Sequence, residues 1–225
     1  MKKLAKKYAA ALALIEQGKK YTVAEACELV KKTATAKWDE SIDVSFRLNI
    51  DPKQADQQLR GTIVLPHGNG KSVRVLAITD KAAEATAAGA DYVGQQDMLD
   101  KIQKENWFEF DVIVATPNMM GLLGRMGRVL GPKGLMPNPK SGTVATDIGA
   151  AITQIKNGKI AYRNDAAGNL AIQFGKASFD AEKLADNLNT IISTVNKIRP
   201  AAVKGVYIKS CTISSTYGPG IKVTA

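Results

Sequence analysis

The 225-residue chain is 45% hydrophobic and 23% charged, proportions of a globular protein with length for one large domain or two small ones. A formal charge of +10 favours polyanionic partners through phosphate contacts and counterion release. No apolar run reaches the roughly 20 residues that span a bilayer, and two distant cysteines, Cys27 and Cys211, with a single histidine, His67, leave no zinc site or structural disulfide to build.

The N-terminal stretch MKKLAKKYAAALALIEQGKK reads as a basic amphipathic helix with Leu4, Tyr8, Leu12 and Ile15 on one face. Its apolar part is too short for a secretory signal and lacks a small-residue cleavage site, so a cytoplasmic location is expected. SIDVSFRLNI at 41–50 alternates as a half-buried strand does, and GTIVLP at 61–66 predicts a second. From Lys71 the rhythm changes. SVRVLAIT predicts a buried strand, Asp80 a cap for the helix KAAEATAAG, DYVG a brief strand, and Gln95 to Asn106 a helix. DVIVAT is another buried strand, and Asp147 opens the helix DIGAAITQIKNG. Repeated strand–helix units imply a parallel sheet with right-handed crossovers. After Gly158, KIAYRN, the turn DAAG and NLAIQF predict a hairpin. A helix from about Asp180 to Ile198 and the strand GVYIKSCTISST follow.

The expected fold class is α/β in two domains. Residues 1–66 and 160–225 form a split α+β domain, residues 67–159 are an inserted α/β domain, and hinges lie near 66–68 and 158–160. Charge is uneven along this plan. Residues 67–159 carry 11 basic and 9 acidic residues, yet no acid lies between Asp111 and Asp147. Inside that gap, 121–142 reads GLLGRMGRVLGPKGLMPNPKSG, with six glycines, three prolines and four basic residues. A long irregular loop of this kind is usually functional or disordered. Its many leucines and methionines argue for an ordered basic surface whose glycines let a partner's backbone approach, against the plainer reading of glycines that only make turns.

Catalytic patterns are scarce. GNGKS at 68–72 lacks the upstream glycine of a phosphate-binding loop and precedes a strand rather than a helix. There is no HExxH, GxSxG or cluster of metal ligands, so no catalytic residue, metal or cofactor is expected. Trp38 beside Lys37 and Tyr217 in SSTYGPG are either core or edge packing or stacking groups of the kind RNA recognition uses.

At this level of detail a family resemblance emerges. GRMGRVLGPKGLMPNPKSGTV resembles the signature of the ribosomal protein L-one family in its bacterial form. KWDESIDVSFRLNIDPKQADQQLRGTIVLPHGNGK, AGADYVG, FDVIVATPNMM, YRND, GKASF and STYGPG follow in the family's order. The resemblance implies that the split domain binds RNA and that the inserted domain is Rossmann-like with three layers. It also implies a non-enzymatic structural role. The partners it implies are large-subunit rRNA in a mobile stalk, deacylated tRNA near the exit site, the protein's own mRNA, which it would repress, and other ribosomal components. The resemblance further implies no membrane partner and a monomer when free of the ribosome. By motif, the implied RNA contacts are Lys37, Trp38, Ser41, Ser210, Thr216, Tyr217 and Gly218. A second RNA-facing surface comprises Gly124, Arg125, Gly127, Arg128, Gly131, Lys133, Gly134 and Lys140. Tyr217 stands where the family usually has methionine, and Trp38 where phenylalanine is common. Two rival readings are a nucleotide-using enzyme on the inserted domain and a nonspecific polyanion binder.

Overall fold

A computed structural model describes residues 5–16 and 18–224. In chain order these form helices α1 (Lys6–Ala13) and α2 (Val23–Thr33) and strands β1 (Ser41–Leu48), β2 (Arg60–Val64) and β3 (Val75–Ile78). Helix α3 (Ala82–Ala87), β4 (Tyr92–Gly94), α4 (Gln96–Glu105), β5 (Val112–Ala115), α5 (Met120–Arg125), α6 (Gly127–Leu130) and α7 (Ile148–Lys156) follow. The chain closes with β6 (Lys159–Arg163), β7 (Asn169–Lys176), α8 (Ala181–Lys197), β8 (Ile208–Ser215) and β9 (Ile221–Val223). Two compact units result: Met1–Gly70 with Ile160–Ala225, and Lys71–Lys159.

The first unit is built on a four-stranded antiparallel sheet in the order β7-β1-β8-β9. The alternation of β1 sends Ile42, Val44, Phe46 and Leu48 into a core shared with Cys27 and Val30 of α2 and Leu184, Leu188, Ile191 and Val195 of α8. These α8 positions recur at helical spacing, so one face of the helix is apolar throughout. Thr22 and Glu25 start α2 with a reciprocal capping box. Helix α1 buries Ala11, with Tyr8, Leu12 and Ile15 half-buried; Leu4 lies outside the described residues. Cys27 and Cys211 are free and buried, and burial pushes both thiols up to about 12.

The expected hairpin between β6 and β7 does not form. Its turn does: the Asp165 carboxylate accepts from the amides of Ala167 at 2.9 Å and Asn169 at 2.7 Å. The strands then part, β7 pairing with β1 and β6 with β2. Tyr162 of β6 packs on Gly61 of β2, where an added Cβ would come within 2.5 Å of the phenol oxygen. That fit, which no local turn signal reports, selects the partner.

The second unit is a three-layer α/β sandwich around a parallel sheet ordered β4-β3-β5. Leu76, Ile78, Ile113 and Ala115 face α4, α5 and α6. Val75, Ala77 and Val114 face α3 and α7. Asp147 caps α7, accepting from the Ala150 amide at 3.0 Å. Asp80, expected to cap α3, does not. The helix begins at Ala82 without a side-chain cap, and the preceding turn is tied by the Thr79 hydroxyl, which accepts from the Lys81 amide at 3.0 Å.

Residues 121–142 also depart from expectation, because they are not one irregular loop. They hold most of α5, all of α6 and a 3-10 turn at Pro139–Ser141. Met119, Leu123, Met126 and Leu130 recur at intervals of four, three and four, and all are buried. Burial of that stripe outweighs the poor helix propensity of the glycines between them.

Asn187 on α8 ties three segments of the first unit. Its amide nitrogen donates to the carbonyls of Gly68 and Phe174, both at 2.9 Å, and its oxygen accepts from the His67 amide at 3.2 Å. Asn187→Ala leaves those backbone groups unpaired, at about 1–3 kcal/mol for a buried group. Amide hydrogen exchange of β1 should accelerate by at least roughly five-fold; unchanged protection would refute this role.

Candidate functional site

The motif KWDES supplies two acids, and the fold uses both internally. The Glu40 side chain is buried, with 1% exposure for the residue. Its carboxylate accepts from the Ala36 amide at 2.6 Å and the Tyr217 amide at 3.1 Å. Burial works against its charge, but the N–H groups of Tyr217 and Ala36, the Ser215 hydroxyl and the Thr35 N–H outweigh it and hold the carboxyl below its ordinary value. Asp39 accepts from the amide and hydroxyl of Ser178, both at 2.9 Å, and pairs with Lys176 at 3.8 Å. Segments 35–41, 176–178 and 215–217 are thus fastened together, by a buried Glu40 and an exposed Asp39. Lys37, Trp38 and Tyr217 point outward.

Six of the expected contacts therefore meet. Lys37 is exposed, Trp38 and Tyr217 are 53% and 64% exposed, and their rings touch edge to face at 5.9 Å. The Thr216 hydroxyl donates to the Ser41 carbonyl at 3.3 Å. Gly218 is required by the fold itself, since a Cβ there would lie 2.5 Å from the Ser215 hydroxyl oxygen. Ser210 sits apart. It faces Arg47 across the sheet, six residues and so roughly 20 Å along from Thr216.

Between these ends runs the outer face of the sheet. Asp43, Ser45 and Arg47 of β1 stand opposite Ser214, Thr212 and Ser210 of β8, a row of hydroxyls with one guanidinium and one carboxyl. Burial pushes the Asp43 carboxyl above the ordinary carboxylate range. At the Ser210 end, the register slips between Arg47 and Leu48, leaving Lys209 as the extra residue of a bulge and turning it outward. There Lys20, Lys209 and Lys222 line a small hollow with Ser210 and Thr224. Three ammonium groups and two hydroxyls in one concavity suit a phosphate.

These residues were readable in part. The polar half of the alternation in SIDVSFRL and IKSCTISS marks Ser45, Arg47, Thr212 and Ser214 as the outward face. The Lys20–Lys209–Lys222 hollow had no local signal, because it joins segments far apart in the chain and depends on a bulge.

The second expected surface lies wholly in the second unit. Arg125, Arg128 and Lys140 are exposed. Lys133 is also exposed but rests over the Phe108 ring, 3.9 Å from its centroid, so its ammonium is already engaged. Gly134 has φ +71, a left-handed backbone that favours glycine. A Cβ on Gly121, Gly124 or Gly127 would meet nothing within 4 Å, whereas one on Gly131 would strike the Gly127 carbonyl. The first three glycines thus have no steric reason of their own to be glycine.

Glu40→Gln tests the fastening. A carboxyl held below its ordinary value of 4.5 contributes stability that is fully present above that value and lost as pH falls through the depressed one. The variant should lose stability at neutral pH, and the wild-type loss on acidification should flatten in it. Thermal unfolding between about pH 3 and 7 reads both effects; parallel curves for the two proteins would remove Glu40 from this role.

Residues 30–219 match the family model described as ribosomal protein L1p/L10e. The match runs from the last turn of α2 through the turn at 215–218, including the Glu40 fastening, the outer sheet face and the whole second unit. The chain therefore belongs to the ribosomal protein L1p/L10e family, a family of structural proteins of the large ribosomal subunit.

Proposed function

We propose that the protein binds an rRNA segment of the large subunit on the outer sheet face of its first unit. The observation that carries the reading is the fastening of KWDES to STYG by Glu40, which presents Lys37, Trp38, Thr216 and Tyr217 together at one end of a hydroxyl-lined face. A basic hollow stands at the other end. RNA is read through shape, 2′-hydroxyls and phosphates rather than through its deep major groove, and a row of serines and threonines between cations offers those contacts. The glycines and arginines of α5 and α6 support a second RNA-facing surface.

In this reading the bound rRNA forms the mobile stalk beside the exit path of deacylated tRNA, with motion between the two units assisting tRNA release. The same face would bind a mimic of the rRNA site in the protein's own mRNA and repress its translation. The family membership and the charge of +10 support these roles.

The test is binding of the rRNA stalk fragment and of an unrelated duplex across a salt series. The stalk should stay preferred once salt has weakened the duplex. Replacing Lys209 and Lys222 with alanine should lower the salt slope of the stalk complex by roughly 1.5, two phosphate contacts at about 0.7–0.9 each. Thr216→Val should weaken the stalk complex more than the duplex complex. Equal weakening of both RNAs with salt would leave a nonspecific polyanion binder.

A further inference from the structure

Trp38 and Tyr217 are the two aromatic side chains among the large apolar residues that the described part of the chain leaves exposed. They are also neighbours, with rings nearly perpendicular at 81°. Perpendicular rings form a corner, one face serving as floor and the other as wall. That corner opens into a groove of about 660 Å³ lined by Lys7, Tyr8, Ala36, Lys37, Trp38 and Tyr217, among others. The volume lies within the roughly 300–1,000 Å³ of small-molecule sites.

The charges around the groove are of one sign. Lys7 and Lys37 line it and make no ion pair among the described residues, and no acid lines it. Of the two nearest acids in sequence, Glu40 is buried against Ala36 and Tyr217, while Asp39 is exposed but held by Ser178 and Lys176. The walls are also held in place, because Glu40 fixes the backbone on both sides, at Ala36 and at Tyr217. Three aromatic rings flanked by free ammonium groups match a flat apolar ligand with an anion on either side, which is the chemistry of one nucleotide within a strand. An aliphatic peptide would leave both lysines without partners.

We infer that this groove holds a single unpaired nucleobase, swung out of the RNA and stacked against the Trp38–Tyr217 corner, while Lys7 and Lys37 meet the phosphates before and after it. The inference rests on the RNA-binding reading above and deepens it. Part of the recognition then depends on an extruded base and not only on backbone shape.

The experiment uses the stalk RNA fragment and a set of versions in which one unpaired nucleotide at a time is abasic. Wild-type protein should bind one abasic version roughly ten-fold more weakly than the intact RNA, the loss of one base–aromatic stack. The Trp38→Ala/Tyr217→Ala variant should bind the intact RNA and that abasic RNA equally, at the affinity wild type shows for the abasic RNA. That retained affinity also shows the variant to be folded. If wild type binds every abasic version as tightly as the intact fragment, or the variant loses affinity for all versions alike, the groove holds no base, although RNA binding stands. If wild type shows no preference for the stalk fragment, the RNA reading fails first. Self-association of wild type that the same substitutions abolish would assign the groove to a second copy of the chain and overturn the inference.

Discussion

A buried carboxylate without a cation beside it is a costly group, and in this protein the cost fixes the geometry. Glu40 loses its water and recovers the interaction from peptide N–H groups contributed by both of its flanking loops. Joined through one carboxylate they form a single rim, on which Lys37, Trp38, Thr216 and Tyr217 stand exposed. Ser41 and Thr216 meet across the sheet edge for the same reason.

The sheet extends this logic along its length. Period-two alternation divides β1 and β8 into an apolar face that closes on α2 and α8 and a hydroxyl face that faces solvent. A slip of one residue would exchange the faces and destroy core and surface together. The two register shifts, between Ile42 and Asp43 against β7 and between Arg47 and Leu48 against β8, are therefore local. Each displaces one residue without inverting the strand, and the second moves Lys209 into the basic hollow. Packing and surface chemistry in the first unit are set by the same few angles.

Much of this was legible in the residues. The alternation of SIDVSFRL gave the central strand and its buried face. Asp147 marked the start of α7, and the sheet of the second unit followed from its short apolar runs. The failures have physical causes. DAAG forms the turn it advertises, yet β6 and β7 separate because the fit of Tyr162 on Gly61 is non-local. The stripe Met119, Leu123, Met126, Leu130 carried a helical period, but the glycines between those positions concealed it from any reading by propensity. Glu40 was overlooked as a site residue because its partners, the Ala36 and Tyr217 amides, include one from the far end of the chain. The corner of Trp38 and Tyr217 needs two residues 179 positions apart, which no spacing rule can join.

Gly121, Gly124 and Gly127 have empty space where a methyl group would fit. Alanine at such helical positions is better by about 1 kcal/mol each, so the free protein forgoes stability in α5 and α6 that it has the room to take. The glycine-bearing helices of the second unit therefore leave their backbone uncovered by side chains at these positions, where another molecule can come close.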